Sequence, residues 1–199
     1  MVPKKPPLMS KDKMLQGIRR AKPDALPLPE MPNFAVPPEV LPILFKENSE
    51  KLGSRVLLSA SQLNLKEQAK QLFPDAQKIV SPLAEVASTV DLSHISDPHE
   101  LADVDVAILR GQIGVAENGA IWVDEQDMQH RVLPFITQHL IILLEQDKLV
   151  YNMHQAYAKI QVDATGFGVW IAGPSKTADI EQSLVIGAQG ARSLTVILD

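Results

Sequence analysis

The chain has 199 residues, of which 45% are apolar and 22% charged, a composition that suits one globular domain with a real core and a short appendage. It contains no cysteine, which excludes disulfides, thiolate zinc sites and cysteine-ligated iron–sulfur clusters within the chain itself. The net charge is −5, but residues 1–22 hold seven Lys or Arg against one acid, Asp12, so that segment is +6 and residues 23–199 carry −11. An acidic body repels phosphate backbones, so nucleic-acid binding is not expected; the basic arm either stays solvated or suits an acidic partner. No apolar run reaches ~18 residues and the first residues lack a signal-peptide apolar region, so a cytoplasmic protein without a membrane span is expected.

Ten of the fifteen prolines fall in residues 1–42 and eight of the ten glycines in residues 111–190. The chain is therefore expected to divide into a basic, proline-rich arm at 1–37 and an α/β domain at 38–199. Within the arm, Met14, Leu15 and Ile18 follow a helical spacing behind Ser10, a residue suited to capping, which predicts a short amphipathic helix.

The body alternates between helix and strand patterns. A helix at 38–52 leads into the strand Arg55–Leu58, and a second helix at 64–73 stops before Pro74 and the strand 78–80. One turn at 99–102 precedes the strand 104–109, with 120–123 as its expected hairpin neighbour. Leu140–Leu144 is continuously apolar, as strands buried on both faces are. A helix at 149–159, a strand around Val169, a helix from Thr177 and a last strand at 194–198 complete the pattern. Strands separated by helices imply an α/β layer fold with a mainly parallel sheet.

Two short stretches carry the chemistry. In Ala172-Gly173-Pro174-Ser175-Lys176-Thr177-Ala178-Asp179-Ile180-Glu181 an apolar strand meets a stop, and the polar residues beyond it have the grammar of a capped helix start. Free backbone N–H groups there, with Lys176 beside them, would suit a carboxylate or phosphate; the same residues also make a cap that needs no ligand. In Glu117-Asn118-Gly119 the Asn-Gly pair is a hairpin signal. The turn itself does not require Glu117, whose carboxylate is either an exposed turn residue or a nucleophile or base. His94, His99, His130, His139 and His154 show no metal-ligand spacing, so no metal site is expected. His139, heading the apolar run, is read both as a strand-end residue and as a ligand contact.

The two stretches together resemble a known family. Gly173, Pro174, Ser175, Thr177, Ala178, Asp179, Ile180 and Glu181, then Leu184, Val185, Gly187 and Gly190, match the pattern G-P-S-x-T-A-D-I-E followed by L-V-x-G-x-H-G of the lactate-utilisation (LUD) domain, the family of lactate-utilisation protein C. Val115-Ala116-Glu117-Asn118-Gly119 is similar to its A-I-A-E-T-G turn, and Leu133-Pro134, His139-Leu140-Ile141-Ile142 and Leu149-Val150 to its L-P…H-I-x-V-V…I-V stretch. Met14-Leu15 and Ile18-Arg19-Arg20-Ala21 resemble its opening helix. Three positions depart from the pattern: Gln189 stands for His, Asn118 for Thr, and Ala120 for Thr or Ser. An amide at 189 forms hydrogen bonds but does not titrate.

The resemblance implies a Rossmann-like three-layer sandwich similar to the sugar-phosphate isomerase and coenzyme A transferase superfamily. It also implies a non-cluster subunit or accessory protein of an iron–sulfur system that oxidises L-lactate to pyruvate, with the clusters in partner subunits and no cofactor on this chain. The expected site is a small-anion crevice formed by Asn118, His139, Gly173, Ser175, Lys176, Thr177 and Asp179, with Glu117 as the candidate catalytic residue. Two alternatives stay open. One is a stand-alone enzyme resembling coenzyme A transferases, using Glu117 as acyl acceptor, although no Gly-x-Gly-Gly oxyanion loop accompanies it. The other is a ligand-sensing module without chemistry.

Overall fold

A computed structural model describes residues 10–23, 26–27, 29–30, 32, 34, 36–58, 64–161, 166–178 and 184–199. The chain divides into two compact units, Met1–Ala35 and Val36–Asp199. In the first, α1 (Lys11–Ala21) forms where the apolar spacing places it, with Arg19 and Arg20 in the last turn, where they complement the helix dipole. Ser10 precedes it without a side-chain capping bond, and no residue of α1 is buried.

In the second unit a turn of 3₁₀ helix at Pro38–Val40 leads into α2 (Leu41–Lys51), followed by β1 (Arg55–Leu58) and α3 (Leu65–Leu72). Asn64 caps α3 by accepting the Lys66 N–H. The strands β2 (Ile79–Val80), β3 (Val106–Arg110), β6 (His139–Leu144) and β11 (Ser193–Leu198) join β1 in a five-stranded parallel sheet of order β1-β11-β6-β3-β2. Every pairing in it is parallel, with Ser193 opposite His139 and Val106 opposite His139 on the other side. Its central strands are apolar at almost every position because both faces are covered. Leu140, Ile142 and Leu144 face one core together with Leu194, Val196 and Leu198. Ile141 and Leu143 face the other with Ile108 and Ile197, beneath α3 residues Leu65, Ala69 and Leu72.

A second sheet supplies the third layer. It contains β4 (Ile113–Val115), β5 (Ala120–Asp124), β7 (Leu149–Val150) and β8 (Gly168–Ile171) in the order β7-β4-β5-β8. Alternation along β5 decides its orientation: Ile121 and Val123 enter the core shared with the parallel sheet. Ala120 and Trp122 face outward to Met153 and Ala156 of α5 (Met153–Tyr157). The α/β class, the mainly parallel sheet and the layered sandwich are thus those expected.

Three local expectations are corrected. The strand at 120–124 pairs with β4 and not with β3, because β2 and β6 already flank β3 on both edges. The helix expected at 149–159 begins only at Met153: Leu149 and Val150 pair in parallel with Gly114 and Val115, and Asn152 then starts α5 by accepting the Gln155 N–H. The helix expected from Thr177 is a strand, β9 (Lys176–Ala178), antiparallel to β10 (Leu184–Ile186) with Thr177 opposite Val185. Local capping grammar lost there to backbone pairing with a β-branched segment a few residues downstream.

Candidate functional site

The segment after β8 is built by a turn and by two backbone bonds. Gly173 has φ +81°, a left-handed conformation, and a Cβ on it would lie 3.0 Å from the Leu52 carbonyl oxygen at the end of α2. Glycine is what lets the loop pass so close to that helix end. Ser175 then donates its N–H to the Ala191 carbonyl at 2.8 Å and accepts the Gly187 N–H at 3.0 Å. The Lys176 ammonium donates to the Leu52 carbonyl, where a cation also meets the negative end of the α2 dipole.

These bonds hold one wall of a cleft of about 310 Å³. Ser175, Lys176 and Thr177 supply its polar lining with Gln189 from the segment beyond β10, the Lys176 ammonium itself being held at the Leu52 carbonyl. The floor is apolar, from Leu140 and Leu194, which are buried at the starts of β6 and β11, and from Phe135 on α4 (Leu133–Ile136), which is 43% exposed. A few polar groups converging on an apolar floor are what orients a small polar ligand. The expected helix start with free N–H groups is not formed at Thr177. With β9 in place of that helix and the Ser175 N–H committed to Ala191, recognition falls to the side chains instead.

Of the residues expected in the site, Gly173, Ser175, Lys176 and Thr177 line this cleft together. Asp179 lies outside the described residues. Glu117 and Asn118 occupy the β4–β5 turn and are not among the lining residues. Asn118 accepts the Ala120 N–H at 3.1 Å and Gly119 takes φ +66°, the local geometry an Asn-Gly turn supplies. The Glu117 carboxylate accepts the Met153 N–H at 2.8 Å, at the first turn of α5. The two loops do share a support. Asn48 in α2 donates to the Ala116 and Glu117 carbonyls, while Leu52 meets Gly173 and Lys176.

His139 lies elsewhere. Strand alternation sends it to the α3 face of the parallel sheet, opposite Leu140, into a separate depression with Phe73 and Arg192. Its ring stacks on Phe73 at 4.1 Å between centroids, and Nδ1 lies 2.8 Å from the Ser193 hydroxyl. Burial, reinforced by the Arg192 charge, holds the imidazole below its ordinary pKa, with Asp105 pulling weakly the other way. Gln112 bridges Asp124 and Asp127 through one amide nitrogen, 2.7 Å from each carboxylate. Burial raises the Asp127 pKa, partly offset by that hydrogen bond. Among the described residues no group of three or more His, Asp or Glu converges as metal ligands, and no helix is long and apolar enough to cross a membrane.

The model of the LUD domain matches residues 44–198, a span that includes both sheets and the whole cleft. The chain belongs to the LUD domain family. Among curated LUD relatives, lactate utilization protein C of Geobacillus thermodenitrificans is 31% identical over 108 residues, 51% of this chain and 44% of the relative. The Bacillus pumilus protein of the same name is 33% identical over 92 residues, 43% of this chain and 38% of the relative. The chain thus aligns with less than half the length of these relatives. A crystal structure of a DUF162 family protein from Deinococcus radiodurans superimposes with a TM-score of 0.63 at 19% identity, covering 82% of this chain and 99% of that one. At that identity the likeness establishes the fold alone.

Proposed function

We propose that this LUD protein serves lactate utilisation as a cluster-free component, working in the cytoplasm with iron–sulfur partner proteins that carry the redox centres. The cleft beside Gly173–Thr177 would hold a small carboxylate, L-lactate or pyruvate. The observation that carries this reading is the convergence of Ser175, Lys176, Thr177 and Gln189 over the apolar floor of Leu140 and Leu194. The hydroxyls of Ser175 and Thr177 and the Gln189 amide match a hydroxy- or keto-carboxylate, the Lys176 charge at the Leu52 carbonyl favours an anion nearby, and the floor takes its methyl group. The names of the relatives supply the pathway. Without cysteine the chain lacks the thiolates that hold a cluster, so electrons from lactate would pass to a partner.

The test is reconstitution. The isolated chain is expected to bind L-lactate or pyruvate by calorimetry without oxidising either, and oxidation is expected once cluster-bearing partners are added. Deleting the gene should abolish growth on L-lactate; wild type should restore growth, and the double variant Ser175→Ala/Lys176→Met should not. Unimpaired growth of the deletion strain would refute the role. Acyl transfer by the isolated chain, lost in Glu117→Gln, would replace it with the coenzyme A transferase-like enzyme. In the present geometry the Glu117 carboxylate caps α5 and stands outside the cleft lining, which favours the component over that enzyme.

A further inference from the structure

The depression on the α3 face has a volume of about 360 Å³ and opens at the amino ends of β3, β6 and β11. It backs onto the first cleft without sharing a lining residue: Leu140 and Leu194 face one, His139 and Arg192 the other. Its apolar wall comes from Leu72, Phe73, Pro74 and Ala76, at the end of α3 and the turn after it. Its polar rim is Gln138, His139 and Arg192, with Asp75 and Asp105.

The polar groups are unequally committed. Asp105 Oδ2 accepts the Gln77 and Lys78 N–H groups at 2.8 and 2.9 Å, which ties it to the start of β2. The Arg192 N–H donates to the Gln138 carbonyl at 2.8 Å, fixing the root of its exposed side chain at the rim. His139 is held flat against Phe73 with Nδ1 at the Ser193 hydroxyl, which leaves Nε2 as the ring nitrogen available to the pocket.

Charge then selects the ligand. Arg192 is the single permanent cation of the lining, and the imidazole beside it is kept neutral by burial. A dianion such as phosphate would meet one guanidinium and two carboxylates. A monocarboxylate meets the same two carboxylates but brings half the charge against them, and it fits the guanidinium fork in a bidentate pair.

We propose that this pocket is a second ligand site, distinct from the Gly173–Thr177 cleft, that binds a small monocarboxylate with an apolar body. Arg192 clamps the carboxylate, His139 donates from Nε2 while Ser193 donates to Nδ1, and Leu72, Phe73 and Pro74 cover the hydrocarbon. The inference does not depend on the reading of the first cleft.

The experiment follows the His139 imidazole signals by NMR in the full chain, assigned with His139→Gln, during titration with 3-methylbutanoate and, separately, with inorganic phosphate. The expected result is a saturable shift of His139 with 3-methylbutanoate and none with phosphate. Affinity should fall about tenfold or more in Arg192→Gln and less in Arg192→Lys, which keeps the charge without the fork. It should be unchanged in Ser175→Ala, which alters only the first cleft. Arg192 is exposed, and an unchanged ring-current shift of His139 from Phe73 verifies the fold of each variant. An unmoved His139 signal, equal affinity in Arg192→Gln, tighter binding of phosphate, or loss of the shift in Ser175→Ala would each overturn the inference.

Discussion

The side-chain amide of Asn48 donates to the carbonyl oxygens of Ala116 and Glu117, at 2.8 and 3.2 Å. A helix that supports the Gly173 loop at Leu52 thereby also fixes the turn bearing Glu117. Asn48→Ala strips a donor from two carbonyls and should cost about 1–2 kcal/mol, the scale of a part-buried bond left unmade. Urea denaturation measures this directly. A change within about 0.5 kcal/mol, the range of ordinary surface substitutions, would mean that water replaces the amide and that α2 does not anchor the turn.

Gly173 tests how tightly the cleft wall is bound to the same helix. Alanine there would adopt φ +81° and place its Cβ 3.0 Å from the Leu52 carbonyl oxygen. The left-handed conformation alone costs about 1–2 kcal/mol for a residue with a Cβ, and the contact forces the loop away from α2. Gly173→Ala is therefore expected to lower stability by at least that amount and to weaken binding of L-lactate or pyruvate in the cleft. Thermal unfolding and calorimetry read the two effects separately; full stability would show that the loop shifts freely.

The pH dependence of stability is set in part by His139. Its folded pKa lies below the ordinary 6.5, chiefly through burial. The unfolded chain therefore binds the proton more readily, and stability rises with pH in this range. The contribution is complete above the unfolded pKa of about 6.5 and is lost as pH falls from there through the folded pKa. His139→Gln should flatten that part of the stability-against-pH curve. Asp127 works in the opposite sense. Its folded pKa is raised, so its contribution is complete below the unfolded pKa of 3.8 and is lost as pH rises through the folded value. Asp127→Asn should remove that loss. Denaturation series across pH distinguish the two variants by the sign of the slope they abolish.

The strands of the parallel sheet were legible because burial on both faces writes itself as a run of apolar residues, unbroken in Leu140–Leu144 and interrupted by Thr195 alone in Leu194–Leu198. The start of α3 was legible for a local reason, the Asn64 cap. The strand β9 was not. Gly-Pro-Ser-Lys-Thr satisfies every local rule for a helix start, and what makes it a strand is pairing with Leu184–Ile186, which no short window contains. The site divides in the same way. Gly173, Ser175, Lys176 and Thr177 announced themselves as one turn. Their apolar floor did not, since Phe135, Leu140 and Leu194 come from separate elements and look like ordinary core. His139 and Leu140 are adjacent in sequence yet enter different pockets, a separation decided by the two-residue period of β6. The partner of the Glu117 carboxylate, the Met153 N–H, was hidden because it depends on where α5 begins.

Gln189 offers the most direct chemical test of the cleft. It lines the cleft together with Ser175 and Thr177, at the position where the LUD pattern carries His. An amide has the same charge at every pH, so this position cannot make native ligand binding pH-dependent. Gln189→His introduces an imidazole with an ordinary pKa of about 6.5, and a carboxylate bound beside it would favour its protonated form. Affinity of the variant for L-lactate or pyruvate should therefore rise as pH falls from 8 to about 5.5, while the native protein changes less over the same range. The gain should approach the about 1–2 kcal/mol by which a hydrogen bond to a charged group exceeds a neutral one. Calorimetry at the two pH values, with Gln189→Asn as the non-titrating control, measures it. Equal pH dependence in Gln189→His and Gln189→Asn would place the carboxylate out of reach of position 189 and outside the proposed cleft.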